Sequence, residues 1–163
     1  MTNATTVTSD ASPVKIYRAT PADRAKAWAI VDEYNEAIGV IVRDSPAAFD
    51  SYFDDGAGIW LAEKDGSEVV GCIILRPLPS VSPTACEVKR LYVTPAARGL
   101  RVADKLLATL HAYAKTRGYD TAYLDTKDDL TAAIRFYQRQ GYEECPRYND
   151  NPQATMFMLK RLE

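Results

Sequence analysis

The sequence predicts a mixed α/β fold, a central sheet of parallel and antiparallel strands with helices packed on it. Three observations predict it. A strand, a long helix and a second strand follow one another from Val88 to Thr126, an order that gives a parallel pair joined by a right-handed crossover. A strong hairpin signal, Lys64-Asp65-Gly66-Ser67, precedes that unit and adds antiparallel strands. Two strand-like runs at the C-terminus extend the sheet.

Taken in order, Val14–Arg18 is a short β-like run. Thr20-Pro21 reads as a helix start, with Thr20 as cap and Pro21 in the first turn. Ala25, Trp28, Ile30, Val31 and Tyr34 suit a helix with one buried face, and Gly39 breaks it. Ser45-Pro46 opens a second, short helix ending near Tyr52 or Phe53, and residues 54–58 make a turn. Residues 59–64 and 68–75 form the hairpin. Pro77, Pro79 and Pro83 stiffen the link to a strand over Ala85–Val93. Residues 102–117 are the best helix in the chain, striped by Leu106, Leu107, Leu110, Tyr113 and Ala114 and ended by Gly118. A strand at 122–126 follows, then a helix at 130–140 capped by Asp129 and stopped by Gly141. Residues 142–148 and 155–161 read as the final strands.

The bulk properties exclude several classes. The 163 residues fit one domain, taken as residues 13–163, behind a Thr/Ser/Ala-rich tail at 1–12 expected to be disordered. A 47% hydrophobic fraction supports a core. A net charge of −2, from 20 basic and 22 acidic residues, gives no reason to expect nucleic-acid or anionic-membrane binding. Cys72, Cys86 and Cys145 form no C-x-x-C pair, and with the single His111 they leave no zinc-ligand set, so no metal is expected. Three reduced thiols, no secretion signal and no apolar run near the length of a membrane span lead to the expectation of a cytoplasmic protein.

The strongest local signal is Arg98-Gly99-Leu100-Arg101-Val102-Ala103, placed between a strand and the long helix. A helix N-terminus carries unpaired N–H groups and a partial positive charge. A loop curling ahead of it can aim several N–H groups at one pyrophosphate. Gly99 lets the backbone approach closely, Arg98 and Arg101 add charge, and Ala103 leaves the ligand face open. On these six residues alone, a plain strand-to-helix turn with two solvated arginines fits equally well. A Rossmann-like nucleotide site does not, since no G-x-G-x-x-G follows the first strand.

The loop in its context resembles the GNAT superfamily of N-acetyltransferases. The family's loop reads Gln/Arg-x-x-Gly-x-Gly/Ala, and Arg98 and Ala103 match it. The preceding Glu87-Val88-Lys89-Arg90-Leu91-Tyr92-Val93-Thr94-Pro95 is similar to the family's strand. The likeness continues through Leu106-Leu107, Thr126 and Ala133-Ile134-Arg135-Phe136-Tyr137 to Gly141-Tyr142. It implies the GNAT acyl-CoA N-acyltransferase fold, a mixed central sheet with helices on both faces, and acetyl-CoA as cosubstrate. Arg101 departs from the pattern where glycine is usual. A non-glycine residue disfavours a positive φ there, and its guanidinium equally offers a second phosphate contact. Main-chain N–H groups of Gly99, Leu100, Arg101, Val102 and Ala103 would make most of the contacts.

Acetyl transfer to an amine sets three demands: a deprotonated amine, a stabilised carbonyl oxygen and a protonated leaving thiolate. An alkyl amine of pKa ~10.4 is about 4–5 kcal/mol short of its neutral form at pH 7. Glu87 is the candidate base, because the histone-acetyltransferase branch of the family places its base at the matching strand position. Strand alternation would put Glu87, Lys89, Leu91 and Val93 on one face. The alternative is a structural pair with Lys89 or Arg90. Tyr137 is the candidate acid, since the family often sets a tyrosine beside the CoA sulfur; the alternative is core packing with Phe136. In the family this strand splays from its neighbour, so main-chain groups of Leu91, Tyr92 and Val93 would hold the pantetheine arm and the acetyl oxygen. Thr126, at the end of the next strand, would add a polar contact.

The acceptor is expected to be a small-molecule amine or amino acid, with a protein or peptide as second choice and a non-catalytic acyl-CoA sensor as the rival class. Arg43 could pair with a substrate carboxylate, whereas Asp44, Asp50, Asp54 and Asp55 could favour a cation. The loop Tyr148-Asn149-Asp150-Asn151-Pro152 could border the pocket or be a simple hairpin loop. Cys72, Cys86, Trp28 and Trp60 read as core and His111 as a boundary residue. Paired final strands often build dimers in this family, so a homodimer is one implied arrangement.

Overall fold

The computed structural model describes residues 14–163; the tail at 1–12 lies outside the described residues. The chain runs β1 (Val14–Arg18), a 3-10 turn (Pro21–Asp23), α1 (Arg24–Ile38), α2 (Pro46–Asp50), β2 (Gly58–Lys64), β3 (Glu68–Pro77), β4 (Ala85–Val93), α3 (Val102–Thr116), β5 (Thr121–Thr126), α4 (Thr131–Arg139), β6 (Glu143–Cys145) and β7 (Met156–Arg161). The strands form one sheet in the order β1-β2-β3-β4-β5-β7-β6. Only β4 and β5 pair in parallel, across the α3 crossover; the other neighbours are antiparallel.

Local chemistry sets most boundaries. Ser45 Oγ accepts the Ala48 N–H at 3.1 Å and caps α2. Asp65 and Gly66 take φ of 54° and 82°, the left-handed residues of a tight hairpin turn in which the Ser67 N–H donates to the Lys64 carbonyl at 3.3 Å. Gly39, at φ 75°, closes α1.

Helices cover both faces. On one, Leu106, Leu107, Leu110 and Ala114 of α3 pack with Ile73, Leu75, Val88 and Leu124, and Phe136 and Tyr137 of α4 lean on the same cluster. On the other, Ile30 and Val31 of α1 and Phe49 of α2 meet Ile59, Leu61 and Ile74. Each fully buried aliphatic side chain contributes roughly 1.5–3 kcal/mol.

Several expectations need correction. Asp129 does not cap α4; the preceding residue is Leu130 and no side chain caps it. Trp28 is not core but 38% exposed, edge-on to Phe49 and under the Arg24 guanidinium. The penultimate strand stops at Cys145 rather than Tyr148. There Arg147 donates to the carbonyls of Asn149, Asn151 and Ala154, which curls the chain out of the sheet.

The largest correction concerns β4. The pairs with β3 pass from Cys72–Tyr92 to Ile74–Lys89, so Arg90 and Leu91 together oppose Ile73. Arg90 takes φ 58°. This β-bulge flips the alternation. Leu91 and Val93 therefore join the cluster under α3. Glu87 pairs across β3 with Arg76, and Lys89 meets the Tyr52 ring on the α1 face. The four residues do not share one face. Pairing with β5 also ends early, at Glu87–Tyr123, and the two strands part beyond it.

Arg101, the residue before α3, adopts the left-handed conformation, φ 60° and ψ 29°, despite its side chain. Replacing it should relieve about 0.5–1 kcal/mol of backbone strain. Arg101→Gly is expected to raise the urea midpoint without changing the slope; an unchanged or lower midpoint contradicts this.

His111 Nε2 lies 2.7 Å from Tyr142 Oη and its ring stacks on that of Tyr142. Burial, and then repulsion from Lys160 and Lys115, lower its pKa to about 4. The unfolded imidazole protonates near 6.5, so the unfolded state binds the extra proton first as pH falls. Stability is lost progressively from about pH 6.5 to about pH 4. Urea unfolding at pH 7 and pH 5 should show wild type losing on the order of 1–2 kcal/mol more than His111→Gln; equal losses would sink the assignment.

Candidate active site

Where β4 and β5 part, a cavity of about 450 Å³ opens. Its floor is β4 over residues 87–91 together with Asp125 and Thr126 at the end of β5. Ala133 and Tyr137 of α4 form one wall. Tyr34 and Ile38 of α1, with Val40 and Val42 after it, form another. The β6–β7 loop closes the last side with residues 149–154. The roof is stapled by Gln153, whose Oε1 accepts the Ile41 N–H at 2.9 Å and whose Nε2 donates to the Gly39 carbonyl at 3.1 Å.

Glu87 is 3% exposed, yet it borders the cavity. Its Oε1 accepts from Arg76 Nε at 2.7 Å. Its Oε2 accepts from Tyr148 Oη at 2.7 Å and from Asn149 Nδ2 at 3.4 Å. The expected partners Lys89 and Arg90 are not its partners. A carboxylate offers about four acceptor sites, so three donors leave room for one more. The Asn149 amide also reaches Asp125 Oδ2 at 2.7 Å, and Asn151 Nδ2 reaches the same oxygen at 3.4 Å. Glu87 and Asp125 are thus held by one loop.

Tyr137 faces the same cavity from α4. Among the described residues its hydroxyl has no hydrogen-bond partner. Burial raises its pKa well above the usual phenol value, and the nearby Tyr34 and Asp125 push it further. The phenol keeps its proton at neutral pH. Leu91 and Thr126 also line the cavity.

Other expected residues lie elsewhere. The Tyr92 side chain is buried in the α1-side core and donates to Glu33 Oε2 at 2.7 Å. The Val93 carbonyl accepts from Arg98 Nε at 3.2 Å. The loop 98–103 sits beyond the end of β4 and does not line the cavity. Its form suits a phosphate group. Among the described residues, the N–H groups of Gly99, Leu100, Val102 and Ala103 donate to no backbone carbonyl. Gly99, at φ 86°, has open space where a Cβ would stand, and the Arg98 and Arg101 side chains are exposed. After Glu87, the β4 main chain has no pairing on its β5 side. The residues present therefore fit an acyl-CoA lying from the loop into the cavity.

Arg43 is not free for a substrate. It binds Glu36 at 2.8 Å and Asp32 at 3.4 Å. Three of the four acidic residues are engaged as well, Asp44 with Tyr52 and Arg90, Asp50 with Arg24 and Asp55 with Arg117, and Asp54 does not line the cavity. Sequence reasoning missed Arg76, Lys89, Tyr34 and the contact of Tyr148 with Glu87. Arg76 was findable: extending the antiparallel register of β3 one residue past Leu75 sets it opposite Glu87.

The sequence profile of the Acetyltransferase (GNAT) family matches residues 27–142. An N-acetyltransferase of Schizosaccharomyces pombe is 36% identical over 104 residues, 63% of this chain and 63% of its own. The N-acetyltransferase YjgM of Escherichia coli is 35% identical over 92 residues, 56% of this chain and 54% of its own. The chain thus spans less than two thirds of the length of these relatives. Among solved structures, an acetyltransferase-like protein of Salmonella typhimurium holding acetyl-CoA superposes with a TM-score of 0.73, at 22% identity, over 93% of this chain and 95% of that one. With the profile covering most of the chain, this protein belongs to the GNAT acetyltransferase family.

Proposed function

We propose that the protein is an acetyl-CoA-dependent N-acetyltransferase, acting on the primary amine of a small molecule or amino acid by direct attack. One observation carries the reading. An ionisable carboxylate, Glu87, and a proton-holding phenol, Tyr137, face one cavity at the point where β4 and β5 separate.

In this reading the loop 98–103 holds the CoA pyrophosphate through main-chain N–H groups. The unpaired β4 edge over Leu91, Tyr92 and Val93 holds the pantetheine and the acetyl oxygen, with Thr126 beside it. An acceptor ammonium binds at the remaining Oε1 site of Glu87. Glu87 takes up the proton, directly or through water, and the amine lone pair attacks the thioester carbonyl carbon. As the C–S bond breaks, Tyr137 donates to the departing sulfur. Burial has raised the phenol's pKa, so its first contribution is a hydrogen bond. The phenolate left by the transfer recovers its proton, through water, from the nitrogen of the adduct, which sheds a second N–H proton as it becomes the amide.

CoA release should be measured over a panel of amines, amino acids and peptides. Tyr137→Phe is expected to lower kcat by roughly 10²–10⁴-fold with KM changed only a few-fold. Glu87→Gln should lower kcat/KM by roughly 10²-fold or more. Tight CoA binding by the wild type with no release for any amine would instead make this a non-catalytic acyl-CoA module.

A further inference from the structure

The cavity is electrically lopsided in a way the chemistry above does not use. Three cationic side chains, Arg76, Lys89 and Arg90, line it from β3 and β4. Two are matched: Arg76 by Glu87 at 2.7 Å and Arg90 by Asp44 at 3.4 Å. Lys89 is not. Among the described residues its ammonium makes no hydrogen bond or ion pair, and it stands over the Tyr52 ring, 5.8 Å from the centroid. Burial first, then the Arg90 charge, disfavour its protonated form, and the more distant Glu87 and Asp44 carboxylates offset this only in part. Asp125 carries the opposite imbalance, since amides of Asn149 and Asn151 hold it rather than a cation. Lys127 and Asp150, also on the lining, add one charge of each sign, and Arg43 on the far wall is matched by Glu36 and Asp32.

Lys89 precedes the bulge, so it stays on the face of Glu87, two residues away. Side chains at that spacing stand about 6–7 Å apart along a strand. An α-amino acid carries its amine and carboxylate on one carbon and fits between two such groups. Ile38, Val40 and Val42 on the opposite wall suit an apolar side chain.

We propose that the acceptor is an amino carboxylate, an apolar α-amino acid or a close analogue, whose carboxylate pairs with Lys89 while its amine faces Glu87. This rests on the acetyltransferase reading and narrows its substrate class. A carboxylate seated there gives Lys89 the direct ion pair that Glu87 and Asp44, bound to Arg76 and Arg90, do not make with it. A simple alkylamine would leave the ammonium half-buried and unpaired, at a cost of the kind that gives enzymes their strongest discrimination.

The test compares each apolar amino acid with its own carboxamide as acceptor, by CoA release. The carboxamide has the less basic amine, so a preference for the acid cannot come from a larger free-amine fraction. The acid is expected to show at least a tenfold higher kcat/KM. Lys89→Met should abolish that ratio and Lys89→Arg should restore it, with Lys127→Met as the comparison. Turnover of amines with no acid preference, or a ratio lost in Lys127→Met and kept in Lys89→Met, overturns the proposal while leaving the acetyltransferase reading intact. Calorimetry on the CoA-loaded protein gives a readout without turnover. N-acetyl-L-leucine should bind at least tenfold tighter than N-acetyl-L-leucinamide in the wild type and equally in Lys89→Met. If no amine is acetylated, the acetyltransferase reading fails, and the binding comparison still decides whether Lys89 holds a carboxylate.

Discussion

The parting of β4 from β5 governs this molecule. Parallel pairing lasts three residues, to Glu87–Tyr123, and the bulge at Arg90 then turns β4 toward β3. A sheet that stayed zipped would bury the main chain of both strands and leave no cleft. Because it opens, one strand presents a carboxylate on its last paired residue and unpaired main chain just beyond. The α3 crossover then returns the chain so that α4 can set Tyr137 over the same gap. Buried backbone groups seldom go unpaired, and the proposed acyl-CoA contact along the open β4 edge rests on that.

How much of this was legible in the sequence depended on the range of the interactions. The order of the elements, the hairpin turn at Asp65-Gly66 and the stripe of α3 are local, and they read correctly. The face assignment along β4 failed because a bulge leaves no mark in a single strand: Arg90 is neither glycine nor asparagine, and only its register with β3 exposes the extra residue. The end of β6 was misread for a similar reason. Residues 146–148 are shaped by Arg147 reaching carbonyls further along the chain, a contact that periodicity does not encode. Glu87 and Tyr137 could be named from family likeness, but the network around Glu87 could not, since Arg76, Tyr148 and Asn149 reach it from two other segments.

That network bears on the base proposed for the reaction. A carboxylate held by a guanidinium, a phenol and an amide is well oriented. In the proposed reaction its value lies in position, since a proton reaches it only at its one open acceptor site, from the amine or from a water between them. The phenol across the cavity has the complementary character, protonated and without a protein partner among the described residues.

The β6–β7 loop binds together matters that an enzyme would gain from keeping apart. Through Tyr148 and Asn149 it aims Glu87. Through Asn149 and Asn151 it fixes Asp125. Through Gln153 it fastens the roof to the end of α1. A change in this loop that reshaped the pocket for a new acceptor would also swing the base out of line. Divergence toward other acceptors is therefore easier through Val40 and Val42, on the far wall, which touch neither carboxylate. In lineages that kept this loop, variation should gather between α1 and α2.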